Sequence, residues 1–170
     1  MAKYPLIPPG TTLTTGILAS LLPDVATKAA LESVTNSITM QNDDELFSAV
    51  EANATYDVDL HLLYDAATAA DITIGWTGPS GAAMAWGMVG AQVNVTSSGT
   101  VPDVTMQTRI ISEVQDLGGG PSTGTYAWVH GTLTTAGTSG TLNFRWAQRA
   151  LSATATNVRA GSQLIVKRTA

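Results

Sequence analysis

The feature that most constrains the fold is a regular alternation of side chains along residues 56–64. Tyr56, Val58, Leu60, Leu62 and Tyr64 fill the even positions, and mostly polar residues fill the odd ones. Successive side chains of a β-strand point to opposite faces of a sheet, so this period of two predicts a half-buried strand with its even positions inward.

The same period recurs along the rest of the chain. Ile72 and Trp76, Met84 and Trp86, and Phe144 all occupy even positions of further alternating runs. Strands are predicted at 70–77, 82–90, within 104–114, and at 125–135, 141–150 and 162–168, with another at 37–41 and a strand or connecting turn at 46–50.

Turn sequences separate these strands. Residues 78–81 read Gly-Pro-Ser-Gly, which predicts a turn that makes 82–90 the hairpin partner of 70–77. About eight strands with no helix of normal length between them predict an all-β fold rather than a parallel sheet. The best single architecture is an antiparallel jelly-roll β-sandwich with an extended N-terminal arm.

Residues 1–36 differ from the domain predicted at 37–170. Pro5, Pro8 and Pro9 favour an extended start, and residues 24–32 predict a short helix with Asp24 as its N-cap. The segment is too apolar for a solvated tail and too irregular for a core element. We therefore expect an arm that docks on another surface; the alternative is that it folds back on its own domain. The predicted contact residues are Tyr4, Leu6, Ile7, Leu13, Ile17, Leu18, Leu21 and Leu22.

Charge and composition exclude several classes of protein. Charged residues make up 12% of the chain, the net charge is −5, and the eight Lys and Arg form no basic stripe, so we expect no nucleic-acid partner. The absence of cysteine excludes disulfides and thiolate metal sites. No signal peptide and no apolar run of membrane-spanning length is present, so synthesis in a cytoplasm and no membrane partner are expected.

Two stretches, residues 55–82 and residues 157–168, resemble a known group of proteins. The runs TYDVDLHLLYD at 55–65, ADITIGW at 70–76 and GPSGA at 78–82 resemble bacteriophage virion proteins of actinobacterial viruses. The run NVRAGSQLIVKR at 157–168 is similar to the last strand of phage head-fibre and tail-fibre domains. Such domains often resemble the trimeric jelly roll of the tumour-necrosis-factor and complement-C1q type.

This resemblance implies a trimer on the surface of the particle. A short chain with its own N-terminal arm favours a non-enzymatic capsid decoration protein of the head-fibre kind over a tail fibre. Its partners would be the major capsid protein, contacted by the arm, and two further copies of itself in a homotrimer. Its place would be the capsid surface of the virion, and its role would be to reinforce the shell or to mediate adhesion. The alternative is a tail-fibre or receptor-binding tip that recognises a host cell-surface glycan.

Candidate chemical sites are few, and we expect no catalytic residue, no metal and no cofactor. His61 beside Asp57 and Asp59 could form a metal site, but a solvated strand face explains these residues better. The two carboxylates could also suit a glycosidase, which would need a cleft. The acidic run at 42–45 lacks the ligand spacing and central glycine of an EF-hand.

The four tryptophans divide into two groups. Trp76, Trp86 and Trp146 share the phase of the inward aliphatic residues, so they are predicted to lie in the core. Trp128 shares its strand face with Tyr126 and His130 instead. This stripe of three is the best candidate for an exposed ligand-binding face or a threefold interface, and we favour the interface.

Overall fold

The computed structural model describes residues 7–93, 104–105, 107–120 and 124–170. Within these ranges, one short helix precedes thirteen strands. No helix in the described ranges has the length and apolar character that crossing a membrane requires. In chain order the elements are α1 (Thr15–Ser20), β1 (Asp24–Thr27), β2 (Glu32–Val34), β3 (Gln41–Val50), β4 (Thr55–Asp65), β5 (Ile72–Thr77), β6 (Ala83–Ala91), β7 (Val104–Thr105), β8 (Thr108–Ile110), β9 (Gln115–Leu117), β10 (Thr125–Thr134), β11 (Gly140–Gln148), β12 (Thr156–Val158) and β13 (Gln163–Arg168).

The strands form two antiparallel sheets. The first has the order β1-β13-β4-β10-β6-β7, with β8 also paired to β6, and with β12 paired to both β4 and β2. The second has the order β3-β11-β5-β9. Along β3, β4, β5 and β6, successive strands alternate between the two sheets. The same alternation holds along β9, β10, β11 and β13.

This crossing pattern is that of a jelly roll. Its eight principal strands are β1-β13-β4-β10 in one sheet and β3-β11-β5-β9 in the other, and β6 to β8 extend the first sheet beyond β10. The predicted all-β antiparallel sandwich of about eight strands is therefore confirmed. The first and last principal strands, β1 and β13, are neighbours in register from Asp24–Val166 to Thr27–Gln163.

The core lies between the two sheets and contains the even positions that the sequence indicated on β4, β5, β6 and β11. β4 alternates between half-buried and buried residues along its whole length, and all of its even positions are buried. Trp86 and Trp146 are fully buried, and Trp76 packs against Phe144 with an edge-to-face ring distance of 5.6 Å. The three core tryptophans were thus correctly predicted.

The core also contains a tyrosine hydroxyl that is satisfied by the backbone. Tyr64 is fully buried and its hydroxyl donates to the carbonyl of Gly118 at 2.7 Å. Burial raises the pKa of this phenol, because the charged form would lose its hydration. The contact ties β4 to the glycine-rich segment that follows β9.

The predicted hairpin between residues 70–77 and 82–90 is wrong. β5 lies in the second sheet beside β11 and β9, whereas β6 lies in the first sheet beside β10. A four-residue turn can join strands of one sheet or connect two sheets, and the periodicity of the flanking strands is the same in both cases. Only the distant partners β10 and β11 distinguish these two outcomes.

The predicted helix at 24–32 is also wrong, because that segment contains β1, the connection to β2 and the first residue of β2. β1 pairs with β13 and β2 pairs with β12, so strands from the other end of the chain override a weak local preference. The helix lies earlier, at Thr15–Ser20, where the hydroxyl of Thr14 accepts the backbone N–H of Ile17 at 3.3 Å.

Two smaller predictions also change. The strand expected at 37–41 is absent up to residue 40, and β3 begins only at Gln41, so that 46–50 belongs to a strand rather than a turn. Because β1 and β2 lie inside the segment 1–36 and pair with the domain, the stretch that remains for a docking arm is the one before Asp24.

Candidate interaction surface

The aromatic stripe predicted from the sequence lies on the outer face of the first sheet. β10 buries its odd positions and exposes its even ones, which include Tyr126, Trp128 and His130. Tyr126 is 51% exposed and Trp128 is 44% exposed, values far above those of the core tryptophans. The phase of the strand therefore presents three ring side chains to the surroundings.

These rings are held in place by hydrogen bonds to the neighbouring strand. His130 is directly opposite Asp59 in the register of β10 and β4, and Trp128 is opposite His61. Asp59 Oδ1 accepts the indole N–H of Trp128 at 3.0 Å and lies 3.0 Å from Nδ1 of His130. Tyr126 forms a hydrogen bond with Nδ1 of His61 at 2.5 Å. Asp59 thus fixes two exposed rings at once, so little side-chain freedom remains to be lost on binding.

A cavity of about 370 Å³ adjoins the stripe between β10 and the extension formed by β6 and β8. No local sequence pattern indicates this cavity, because its lining comes from three separate stretches of the chain. Its lining residues are Gly87, Met88, Val89, Gln107, Thr108, Trp128 and His130.

The carboxylates suspected of metal binding gather around the other histidine. Ligand atoms of Asp57, Asp59 and His130 all lie within 4.8 Å of one another, while His61 faces Tyr126 instead. The two nitrogens of His130 face different carboxylates, since Nδ1 lies 3.0 Å from Asp59 and Nε2 lies 3.6 Å from Asp57. Each ring nitrogen of His130 therefore faces a carboxylate oxygen, and Nδ1 is within hydrogen-bond distance of Asp59.

The acidic run at 42–45 is organised by a lysine that the sequence did not single out. The ammonium of Lys28 lies 2.8 Å from Glu32, 3.0 Å from Asp43 and 3.6 Å from Glu45. Desolvation by burial lowers the pKa of Lys28, but its hydrogen bonds to Glu32 and Asp43 raise that pKa overall. A protein cation thus occupies the position between these carboxylates.

The predicted arm residues that the structure describes are mostly exposed. Ile7, Leu13, Leu18, Leu21 and Leu22 are all open to solvent, with Leu22 at 70% exposure, and Ile17 is half-buried. Tyr4 and Leu6 lie outside the described residues. An apolar surface therefore precedes β1, at the edge of the first sheet.

Comparisons with other proteins add little to these observations. No protein-family model matches the chain. No curated protein matches it either. Similar solved structures include the infectious bursal disease virus VP2 subviral particle, with 9% identity and a TM-score of 0.22 over 86% of this chain and 41% of that one. The structure of the Gt strain of that virus has 11% identity and a TM-score of 0.17, over 98% of this chain and 46% of that one.

The chain spans less than half the length of these two solved structures. At such identities and TM-scores the likeness carries no conclusion about function. The assignment of the fold rests on the strand order and pairing described above.

Proposed function

We propose that the protein is a non-enzymatic structural protein of a bacteriophage virion, which decorates the outer surface of the capsid as a homotrimer. The jelly-roll domain projects outward, and the segment before Asp24 contacts the major capsid protein. The observation that carries the proposal is the concentration of exposed apolar side chains at two separate places, the N-terminal segment and the outer face of the first sheet.

The N-terminal segment supports a docking role through its composition and exposure. Leu13, Leu18, Leu21 and Leu22 expose large apolar side chains that the domain itself does not cover. Isolated exposed leucines are common on soluble proteins, but a sequence of them in one short segment is typical of a contact surface.

The first sheet supports self-association. Tyr126, Trp128, Val89 and Val25 are exposed large side chains on that sheet. Aromatic residues are enriched at protein interfaces, and the hydrogen bonds of Asp59 already order the Trp128 indole. A surface of this kind on a cyclic trimer would be shared by all three protomers.

Light scattering on the purified full chain tests the trimer. We expect three times the protomer mass of 17.6 kDa for the native protein. The double variant Tyr126→Ser with Trp128→Ser should be monomeric with an unchanged far-ultraviolet circular dichroism spectrum. Phe47→Ser is the matched control, since Phe47 is 47% exposed on the second sheet and lies outside the proposed interface. A native monomer that stays monomeric on its capsid would overturn the trimer.

Co-sedimentation with shells of the major capsid protein tests the arm. Removing residues 1–22 should abolish co-sedimentation and leave the domain folded. Truncated protein that still sediments with the shells as well as the full chain does would show that another surface makes the contact.

A second candidate function is a receptor-binding tip that recognises a host cell-surface glycan. The observation favouring it is the exposed indole of Trp128 beside the cavity of about 370 Å³, because sugar rings stack on such indoles. Host polysaccharide should then quench tryptophan fluorescence of the native protein and not that of Trp128→Phe. The two functions make opposite predictions for Trp128. If Trp128 is buried between the protomers of a trimer, polysaccharide cannot reach it and cannot quench its fluorescence.

A further inference from the structure

The proposed function gives no role to the buried cluster around Lys28. Lys28 directly follows β1 of the first sheet, and Asp43 lies on β3 of the second. The side chain of Lys28 is 1% exposed and that of Asp43 is 0% exposed, and the two meet with Nζ 3.0 Å from Oδ1. A primary amine therefore touches a carboxyl group at a place between the sheets that bulk water does not reach.

The two carboxyl oxygens of Asp43 have very different surroundings. Besides the Lys28 ammonium, Oδ1 accepts the backbone N–H groups of Glu45 at 3.0 Å and Leu46 at 2.9 Å. Oδ2 is buried and has no hydrogen-bond partner among the described residues. A buried acceptor without a partner costs free energy and is uncommon in native structures. Oδ1 is thus held as a carbonyl oxygen would be, whereas nothing in the described residues holds Oδ2.

Glu32 places a proton acceptor against the amine. Its Oε2 lies 2.8 Å from Nζ of Lys28, and its side chain is 13% exposed. The side-chain amide of Gln41 donates to Oε1 of Glu32 at 2.6 Å and so fixes the direction of the carboxylate. A carboxylate at this distance from an amine can accept a proton from it and pass the proton on.

We propose that Lys28 and Asp43 condense into an intramolecular isopeptide bond, with Glu32 as the catalytic residue that carries protons. First, Glu32 moves one proton from Nζ to Oδ2, which converts the ion pair into an amine and a carboxylic acid. The amine lone pair then forms a bond to Cγ of Asp43, and the negative charge that develops on Oδ1 is stabilised by the N–H groups of Glu45 and Leu46.

The second half of the reaction removes water. Glu32 carries a second proton from Nζ to Oδ2, the bond between Cγ and Oδ2 breaks, and one water molecule leaves. Nζ keeps its third proton as the amide N–H, and Glu32 is again a carboxylate. The reaction therefore needs no oxidant, reductant or co-reactant.

The surroundings favour the product. The condensation removes two buried charges, which are costly to desolvate, together with the oxygen that lacks a partner. The new carbonyl keeps the two backbone donors of Oδ1, and the new amide N–H still faces Glu32. Because the fold already holds the amine against the carboxyl group, little entropy remains to be lost in bringing them together.

Folding comes before the bond, because Lys28, Glu32 and Asp43 lie at or beside three different strands. The chain contains the ion pair until the bond forms. The bond would join the first sheet to the second directly after β1, and this inference does not depend on the proposed function.

Intact mass spectrometry of the purified full chain tests the bond. We expect the native protein to become lighter than its sequence by the mass of one water. Trypsin does not cleave after an acylated lysine, so the digest should contain residues 4–109 as one fragment, lighter by one water, with no cleavage after Lys28. Native protein that keeps its full sequence mass after prolonged incubation would overturn the proposal.

Two variants identify the reacting groups. Lys28→Arg keeps a cation beside the carboxylates but has no amine, so it should keep its full mass. Glu32→Gln retains the pair of Lys28 with Asp43 and should also keep its full mass, with an unchanged far-ultraviolet circular dichroism spectrum. It provides the test if Lys28→Arg does not fold. A purely structural Glu32 would not affect the mass, so loss of water from Glu32→Gln would overturn its catalytic role.

Lys167→Arg is the matched control. Lys167 is an exposed lysine on β13, and its replacement should leave the loss of water unchanged. An aspartate can also lose water by closing a ring with its own backbone. Loss of water from Lys28→Arg, or tryptic cleavage after Lys28 in the lighter native protein, would assign the change to that reaction and overturn the isopeptide bond.

Discussion

Lys28 is the buried charge on which the start of the domain depends. Its side chain is only 1% exposed and pairs with Glu32 and with the fully buried side chain of Asp43. Removing one partner of such a pair leaves an uncompensated buried charge, so Lys28→Met should lower the free energy of unfolding by about 3–5 kcal/mol. Urea denaturation measures this. The exposed Lys167 is the control, and Lys167→Met should change stability by less than about 0.5 kcal/mol.

Glu45 gives the same cluster a dependence on pH. The backbone N–H groups of Ala29 and Ala30, helped by Lys28, lower the pKa of this carboxyl below its ordinary value of 4.5. A carboxyl of this kind stabilises the fold above the unfolded pKa, and the contribution is lost as the pH falls through the lower, folded pKa.

Glu45→Gln should therefore lower the Tm at pH 7 and have little effect at a pH below both pKa values. Thermal unfolding of both proteins, followed by circular dichroism between pH 7 and about pH 3, measures the difference. A Tm difference that stays constant over this range would mean that the ionised carboxylate contributes nothing.

At the residue scale, the sequence predicted which side chains face inward but not which polar groups meet. The inward set follows from alternation, which is local, and Leu60, Trp86 and Phe144 were all identified in this way. The hydrogen bonds of Asp59 to Trp128 and His130 join positions 69 and 71 residues apart in the chain. No local pattern reports such a contact, and only the register of β4 and β10 creates it.

At the level of secondary-structure elements, close packing between β10 and β6 leaves no room for a side chain at one glycine of β10. A Cβ at Gly131 would lie 2.6 Å from the methyl carbon of Met84, 2.8 Å from Cβ of Trp86 and 2.9 Å from the carbonyl of Ala85. Gly131→Ala should therefore destabilise the protein by about 1–3 kcal/mol through overpacking, as measured by urea denaturation.

The turn glycine Gly137 is the matched control for that substitution. A Cβ there would meet no atom within 4 Å, and its φ is not in the left-handed region, so Gly137→Ala should be close to neutral. If both substitutions lowered the free energy of unfolding equally, the different backbone preferences of glycine and alanine, rather than contact with β6, would determine the effect.

Most of the long strands were predictable, although β3 was predicted only in part, and most of the short ones were not. β4, β6, β10 and β11 each span 9 to 11 residues, enough for the period of two to repeat several times. β1, β2 and β12 have three or four residues, and each exists because a distant strand supplies its hydrogen bonds. The sheet to which β5 and β6 belong is likewise decided by distant partners rather than by the turn between them.

At the scale of the whole molecule, the jelly roll joins the two ends of the chain. β1 pairs with the final strand β13, and β2 pairs with β12, so the sheet is complete only when residues 24–34 are present. The exposed helix α1 and its flanking leucines lie before this point. We therefore propose that the domain begins at β1 and that the segment before it, which exposes four leucines, is a separate part.

Two truncations distinguish this boundary from the one expected at residue 36. Removing residues 1–22 should leave the free energy of unfolding nearly unchanged, because the described residues of this segment are mostly exposed and belong to no strand. Removing residues 1–30 also deletes β1 and Lys28, which uncovers the edge of β13 and leaves Asp43 buried without its cation. The longer truncation should therefore cost at least the 3–5 kcal/mol expected from loss of Lys28 alone. Urea denaturation of both proteins measures the difference, and equal stabilities would place the start of the domain beyond residue 30.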